Sequence, residues 1–124
     1  MIGEIRKILL PFYDIKMHRM SVKSRPALVI AKADKEDYVV LPVSRVTRQE
    51  NRDPVYDIPV DPQAFPLLGL TACSYVRTHK QTIAHIREIS DKIGDMKTDY
   101  EELYLSILQK REEFSAEITR QAIE

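Results

Sequence analysis

Short apolar runs separated by polar turns make up the first two thirds of the chain. Segment 4–10 partly alternates between polar and apolar residues, 26–33 is apolar at every position from Ala27 to Ile30, and 38–44 is rich in β-branched and aromatic residues. Runs of this kind are typical of β-strands, and a fully apolar run suits a strand that is buried on both faces. Weaker strand patterns follow at 55–60, 71–78 and 82–86.

Polar stretches separate these predicted strands. Pro11 is predicted to end the first strand, because proline cannot donate a hydrogen bond to a neighbouring strand. The residues after it, 11–24, then form a long loop, and a second loop covers 45–54. Loops of such length are often functional. A short helical turn is predicted at 61–65, which starts with an Asp-Pro pair suited to the N-cap and the first helical position.

The last part of the chain has a helical pattern. Thr98 and Glu101 stand three residues apart, as in a capping box. Apolar residues then recur at steps of three and four: Tyr100, Leu103, Tyr104, Ile107, Leu108, Phe114 and Ile118. This spacing predicts a helix over 98–122, with Arg111 on its apolar stripe. Such a helix is longer than a small barrel needs, so the turns from Phe114 onward are expected to project or to contact a partner.

The order of elements predicts a mainly β fold with a C-terminal helix. Five or six short antiparallel strands suit a small SH3-like barrel, and one long α-helix follows. The length of 124 residues and the hydrophobic fraction of 44% fit one domain covering 1–124. Three glycines leave no phosphate-binding loop, and neither a nucleophile elbow nor a zinc-protease HExxH motif is present.

The composition also bears on the cellular compartment. No apolar stretch is long enough to cross a bilayer, and the first ten residues do not resemble a secretory signal. The single cysteine, Cys73, excludes an internal disulfide and leaves no zinc-binding cluster. We therefore expect a cytoplasmic protein that contacts no membrane and uses no metal or other cofactor.

Charge is unevenly distributed along a chain whose net charge is zero. Residues 1–87 carry 14 Lys/Arg against 9 Asp/Glu, whereas 88–124 carry 5 against 10. No acidic residue occurs from Ile15 to Ala33, where five basic residues lie. This asymmetry suits an anionic partner such as nucleic acid, although a solvated basic loop balanced by an acidic helix explains it equally well.

Arg25 precedes Pro26 at the start of the predicted second strand. Proline biases the residue before it towards extended geometry, so the guanidinium is expected at the edge of a packed sheet. A carboxylate or a phosphate could meet it there. An ordinary surface ion pair is the alternative.

Several sequence blocks resemble one known family when they are taken together. They read Gly3-Glu4-Ile5, then S-R-P-A-L-V-I over 24–30, V-L-P-V-S over 40–44, Gly69-Leu70, and S-Y-V-R-T over 74–78. In order and spacing, they resemble the MazF/PemK (Kid) toxins over residues 3–108. The resemblance implies an SH3-like barrel with a C-terminal helix, usually a homodimer. It also implies an endoribonuclease that cleaves single-stranded RNA sequence-specifically and without metal, leaving a 2′,3′-cyclic phosphate and a 5′-hydroxyl, and that is neutralised by an antitoxin protein.

The resemblance also implies the site residues. The family's phosphate-binding arginine and its strand-end hydroxyl correspond to Arg25 and Ser44, and a loop histidine used by some members corresponds to His18. A later Arg-x-Asp motif reads Arg77-Thr78-His79 here. The specificity loops would be 11–24 and 45–54. Expected RNA contacts are Lys16, Arg19, Lys23, Arg45, Arg48 and Tyr75.

These residues suit metal-free RNA cleavage on chemical grounds. The reaction needs a base for the 2′-hydroxyl, an acid for the leaving 5′-oxygen, and positive charge near the phosphorus. Arg25 and Ser44 can stabilise the charge, with help from Arg77. His79 or His18 can exchange protons near neutral pH.

Plainer interpretations stay open at this point. Ser44 can end a strand by bonding to the backbone, His79 can be an exposed strand-end residue, and Tyr75 can pack across strands rather than stack on a base. Two other classes of function also stay open: a barrel that binds nucleic acid without cutting it, and an interaction module that docks a partner on its acidic helix.

Overall fold

The structure is a computed structural model that describes all residues, 1–124. Seven antiparallel strands form a curled sheet resembling half a barrel, and a C-terminal helix packs against it. The strands are β1 (Glu4–Asp14), β2 (Arg19–Lys32), β3 (Asp37–Ser44), β4 (Asp57–Val60), β5 (Ser74–Arg77), β6 (Thr82–His85) and β7 (Ile89–Asp95); the helices are α1 (Met96–Asp99) and α2 (Glu101–Ile123). The predicted mainly β class with a C-terminal helix is confirmed, whereas a single domain over 1–124 stays a prediction.

Strand β3 lies at the centre of the sheet. The hydrogen-bonded order is β4-β5-β3-β2-β1-β7, and β6 pairs with the first half of β3. The second half of β3 pairs with β5, so its last residue, Ser44, faces Tyr75. Neither helix has the length and hydrophobicity that a bilayer-spanning helix requires.

The prediction of five or six strands is wrong, because β7 is a seventh. Its sequence, I-S-D-K-I-G-D, is mostly polar and contains Gly94, so it lacks the signal of a buried strand. It forms the edge of the sheet beside β1, with irregularities in the register between the two strands. Pairing with a long neighbour, rather than intrinsic preference, accounts for this strand.

The predicted loop at 11–24 is instead a long hairpin. Strand β1 continues through Pro11 to Asp14, and β2 already begins at Arg19. Beyond Ile8, where pairing with β7 ends, β1 pairs only with β2, and proline is tolerated where one side of a strand has no partner. We call residues 9–24 the arm.

Two hydrophobic cores lie on opposite faces of the sheet. The larger lies between the sheet and the helices: Ile5, Leu28, Leu41, Val43, Val60, Leu68, Val76, Met96, Tyr104 and Ile107. The smaller lies on the other face: Ile8, Leu10, Ala27, Val29, Val40 and Ala84. Alternate residues of β2 enter different cores. This two-sided burial explains why Ala27–Ile30 is apolar throughout.

The predicted start of the long helix is wrong. Asp95 caps α1 by accepting hydrogen bonds from the Thr98 backbone N–H (3.1 Å) and hydroxyl (3.0 Å), so Thr98 is not the N-cap of a capping box. The helical conformation is interrupted at Tyr100 (φ −141°, ψ 64°), and α2 begins at the next residue, Glu101. The Tyr100 hydroxyl accepts a hydrogen bond from the Leu67 backbone N–H at 3.0 Å, which connects this interruption to the short 3-10 helix Pro66–Leu68.

Smaller boundaries also differ from the prediction. Segment 61–65 is a turn, and a short 3-10 helix begins only at Pro66. Strands β4 and β5 are shorter than the ranges 55–60 and 71–78. In β5 the residues left out are polar or small, whereas in β4 they are Val55 and Tyr56, which lie in the turn before the strand.

Candidate anion-binding site

Arg25 and Ser44 lie at the same level of neighbouring strands, Arg25 in the interior of β2 and Ser44 at the end of β3. The β2–β3 ladder pairs Ala27 with Pro42, and continuing this register by two residues brings Arg25 opposite Ser44. In the neighbouring ladders, Arg25 pairs with Ile8 and Ser44 pairs with Tyr75. These four residues therefore form a row across the sheet. Arg25 and Ser44 thus lie side by side just beyond the last residue pair of the β2–β3 ladder.

Two clefts open on either side of this pair. The first has a volume of about 650 Å³. It is lined by Lys7, Lys23, Ser24, Arg25, Pro26, Val43, Ser44, Arg45, Gly69, Leu70, Thr71, Ser74 and Ile93. At Gly69, φ is +69° and an added Cβ would lie 2.6 Å from the Ile93 carbonyl oxygen, so a side chain does not fit at this part of the wall.

The second cleft is smaller, about 330 Å³. It is lined by Leu10, Pro11, Phe12, Arg25, Pro42, Ser44, Arg77, Lys80 and Thr82. Arg25 and Ser44 line both clefts, and no aspartate or glutamate lines either one. The first cleft has four basic residues and the second has three, with Arg25 common to both. Because neither cleft contains a carboxylate, both are suited to bind an anion.

Arg25 has no carboxylate partner. Its guanidinium carbon lies 5.9 Å from the centre of the Phe12 ring, a cation–π contact that orients the group without neutralising it. The predicted alternative, a surface ion pair at Arg25, does not occur. The guanidinium donors stay available to a ligand in the clefts.

Arg77 is held quite differently. Its Nε donates to Asp57 Oδ1 at 3.1 Å, and its Nη2 donates to Asp57 Oδ2 at 3.4 Å and to the Asn51 carbonyl at 3.0 Å. The side chain of Asp57 is fully buried. The Oδ2 atom of this aspartate also accepts the Asp53 backbone N–H at 2.8 Å. Arg77 is thus held by the buried Asp57 carboxylate and the Asn51 carbonyl, and it also lines the second cleft.

His79 lies outside both clefts. Its ring packs against Tyr56 and Phe114, with centroid separations of 6.1 Å to each, and 12% of its side chain is exposed. Nδ1 has no hydrogen-bond partner and lies 3.8 Å from Asp57 Oδ1. Burial lowers the pKa of His79; Asp57 opposes this effect and Arg77 adds to it. The imidazole is therefore held in its neutral form.

His18 also lies outside both clefts. It belongs to the turn between β1 and β2, at the tip of the arm, with a positive φ of 52°. Lys16 lies in the same turn and Arg19 begins β2, and all three are exposed. Of the arm's predicted basic contacts, Lys23 alone lines a cleft.

The remaining predicted RNA contacts are spread over the second loop and β5. Arg45 lines the first cleft, and its Nη2 donates to the Thr71 hydroxyl at 2.9 Å. Arg48 precedes the short 3-10 helix Gln49–Asn51 and lines neither cleft. One face of Tyr75 is occupied, because the guanidinium carbon of Arg52 lies 4.8 Å from its ring centre.

Some residues of the site are absent from the sequence prediction. Lys7, Lys80 and Thr82 line the clefts, and Asp57 holds Arg77. The only signal for Asp57 is a charged residue within a strand pattern, and nothing in the pattern indicates that this residue is buried. Lys7 and Lys80 have no distinguishing pattern in sequence; the β1–β2 pairing brings Lys7 opposite Pro26, beside Arg25, and Lys80 lines the second cleft with Arg25.

The structure contains no group of three or more His, Cys, Asp or Glu side chains that could hold a metal ion. The chemistry available in the clefts is that of guanidinium, ammonium and hydroxyl donors. These groups bind anionic oxygens.

Comparison with known proteins supports the fold. No family model matches the sequence, and no curated protein matches it. Among solved structures, the chain is similar to Mycobacterium tuberculosis toxin MazF-mt6, with a TM-score of 0.56 and 18% sequence identity. The match covers 86% of this chain and 94% of that chain. At this identity the similarity supports a MazF-like fold.

Proposed function

We propose that the protein is a toxin of the endoribonuclease kind, which cleaves single-stranded RNA at the row formed by Arg25 and Ser44. The observation that carries this proposal is the position of the two side chains between clefts that contain basic and hydroxyl groups and no carboxylate. The MazF-like fold supports the same function.

The geometry suggests a role for each group. A phosphodiester that lies across Arg25 would place its non-bridging oxygens within reach of the guanidinium and the Ser44 hydroxyl, and its flanking nucleotides in the two clefts. In the reaction, the 2′-oxygen attacks phosphorus and the bond to the 5′-oxygen breaks. Arg25 and Ser44 would stabilise the extra negative charge on the phosphorane, with Arg77 adding charge from the second cleft.

The reaction also needs two proton transfers. The 2′-hydroxyl must lose a proton and the departing 5′-oxygen must gain one. The participation of His18 or His79 stays a prediction, because neither imidazole lines the clefts of the isolated chain. A homodimer, a cognate antitoxin and a cytoplasmic location are further parts of this proposal.

A second candidate function is a barrel that binds single-stranded RNA and does not cut it. The absence of histidine and carboxylate side chains from both clefts favours it, since binding needs only the positive charge.

The test is incubation of the purified protein with a long single-stranded RNA in EDTA, followed by analysis of the fragment ends. We expect discrete fragments with 2′,3′-cyclic phosphate and 5′-hydroxyl ends. Arg120→Ala, at an exposed position near the end of α2, is the matched control and should cut normally, whereas Arg25→Ala should not. If the RNA stays intact but is shifted on a gel, the nuclease proposal is contradicted and the second candidate, a protein that binds RNA without cutting it, is supported.

A further inference from the structure

We propose that Asp57 is a positioning residue of the second cleft, and that it acts by holding Arg77 in the orientation that a bound phosphate requires. This inference rests on the proposed RNA-cleaving or RNA-binding function. Asp57 lines neither cleft, so we expect it to act on a bound phosphate through Arg77, which does line one.

The first argument is the geometry of the ion pair. Asp57 engages Nε and Nη2, along one side of the Arg77 guanidinium, and no hydrogen bond within the chain uses Nη1. The carboxylate therefore fixes the plane of the guanidinium and leaves one amino group unpaired. Arg77 also lines the same cleft as Arg25 and Ser44, so this free group is available to an anion there.

The second argument is the cost of a buried carboxylate. Only 2% of Asp57 is exposed, and an ionised carboxylate at such a place requires partners. Arg77 supplies the charge and the Asp53 backbone N–H supplies a further hydrogen bond. Unlike the surface pairs on α2, this interaction is shielded from water, so the arginine is held in place.

The third argument is that the same carboxylate organises the adjacent loop. Asp57 accepts the Asp53 backbone N–H, and Arg77 donates to the Asn51 carbonyl, so loop and cleft share one network. Arg52 lies between these two loop positions and stacks on Tyr75, the residue paired with Ser44. Asp57 therefore connects the strand pair β3–β5, which carries Ser44 and Tyr75, to the loop 45–54 that is predicted to determine specificity.

The test is a double-mutant cycle with Asp57→Asn, Arg77→Ala and the double variant, measured by RNA affinity and by single-turnover cleavage. We expect each single variant to lose about tenfold to a hundredfold in one or both quantities, the value of a charged hydrogen bond. The double variant should be no worse than Arg77→Ala alone, because the guanidinium that Asp57 orients is then absent and an asparagine oxygen can still accept the Asp53 N–H. Asp61→Asn, an exposed turn aspartate, is the matched control and should behave as wild type.

Each outcome decides the inference. The inference would be overturned if Asp57→Asn lowered RNA affinity or cleavage rate by the same factor in the Arg77→Ala background as in wild type. It would also be overturned if Asp57→Asn bound and cleaved RNA as well as wild type does. The protein could also bind RNA without cutting it. If the losses in RNA affinity were then non-additive, the nuclease proposal would be contradicted and the positioning role of Asp57 would be kept. A wild-type protein that neither binds nor cuts RNA would remove both.

Folding of the variants is followed separately by thermal unfolding. If Asp57→Asn does not fold, Asp57→Glu takes its place in the cycle, because it keeps the charge and moves the carboxylate by one methylene group. The expected result is then a loss of affinity or rate that again disappears in the Arg77→Ala background. Persistence of that loss would contradict the inference.

Discussion

The two arginines of the second cleft differ in what holds them. Arg25 has only the face of Phe12 beside it, whereas Arg77 is bound to the buried carboxylate of Asp57 and to a loop carbonyl. Arg25 therefore offers its whole charge to a ligand, while much of the charge of Arg77 is balanced inside the protein. Under the proposed function, Arg25 would act only on the ligand, whereas Arg77 would act on the ligand and also stabilise the fold.

The largest expected effect is on catalysis at Arg25. Arg25→Ala should lower the cleavage rate by about 10² to 10³, the usual loss when one group that stabilises transition-state charge is removed. Its free energy of unfolding should stay within about 0.5 kcal/mol of wild type, because no carboxylate is left unpaired. Chemical denaturation and single-turnover cleavage measure the two quantities, and a strongly destabilised Arg25→Ala would contradict the comparison.

Arg77→Ala should show the converse pattern. Removing the guanidinium leaves Asp57 buried without its charged partner, and we expect a loss of about 2–3 kcal/mol in the free energy of unfolding. Its effect on cleavage should be about tenfold to a hundredfold, smaller than that of Arg25→Ala. Urea unfolding of both variants checks this, and equal stability of the two would show that the Asp57–Arg77 pair contributes little.

Two positions in the second half of α2, Phe114 and Ile118, provide a related comparison. The Phe114 ring packs edge-on against Tyr56, with a centroid distance of 4.9 Å, whereas Ile118, one turn later, is exposed. Phe114→Ala should cost about 2 kcal/mol of unfolding free energy, less than a fully buried phenylalanine. Ile118→Ala should cost at most about 0.5 kcal/mol. If thermal unfolding shows similar losses for both, the free end of the helix is covered in solution.

The smallest effect concerns pH and His79. Burial lowers the pKa of this imidazole in the folded protein, so below about pH 6.5 the unfolded chain binds more protons than the folded one. Folding stability should therefore be highest above that pH and fall as the pH decreases towards the folded pKa. Urea unfolding at pH 8, 6 and 5 should show a loss in wild type that is reduced in His79→Gln. An equal loss in the variant would assign it to other groups.

The parts of the site that follow from local sequence were predictable. The Arg-Pro pair precedes one apolar run and Ser44 ends the next, so the sequence marks both residues, although the structure places Arg25 in the interior of β2 and only Ser44 at a strand end. Asp57 was not predictable, because its partner Arg77 lies 20 positions along the chain and the pair forms only when β4 and β5 align.

The same reasoning explains the errors in the fold. The class follows from the alternation of apolar runs and the final helical pattern. The arm and β7 depend instead on pairing with a long neighbour, which allows Pro11 and the polar residues of β7 to remain in strands. Arg111 on the helix stripe is another tertiary effect, because its Nε donates to Gln81 Oε1 at 2.7 Å.

The most direct measurement compares Arg25→Ala and Arg77→Ala in one single-turnover assay, with the RNA fully bound and EDTA present. Our account predicts that wild type cleaves, that Arg77→Ala cleaves more slowly, and that Arg25→Ala is the slowest although it is as stable as wild type. Cleavage by Arg25→Ala at the wild-type rate would contradict the account, because the reaction would then take place elsewhere on the protein.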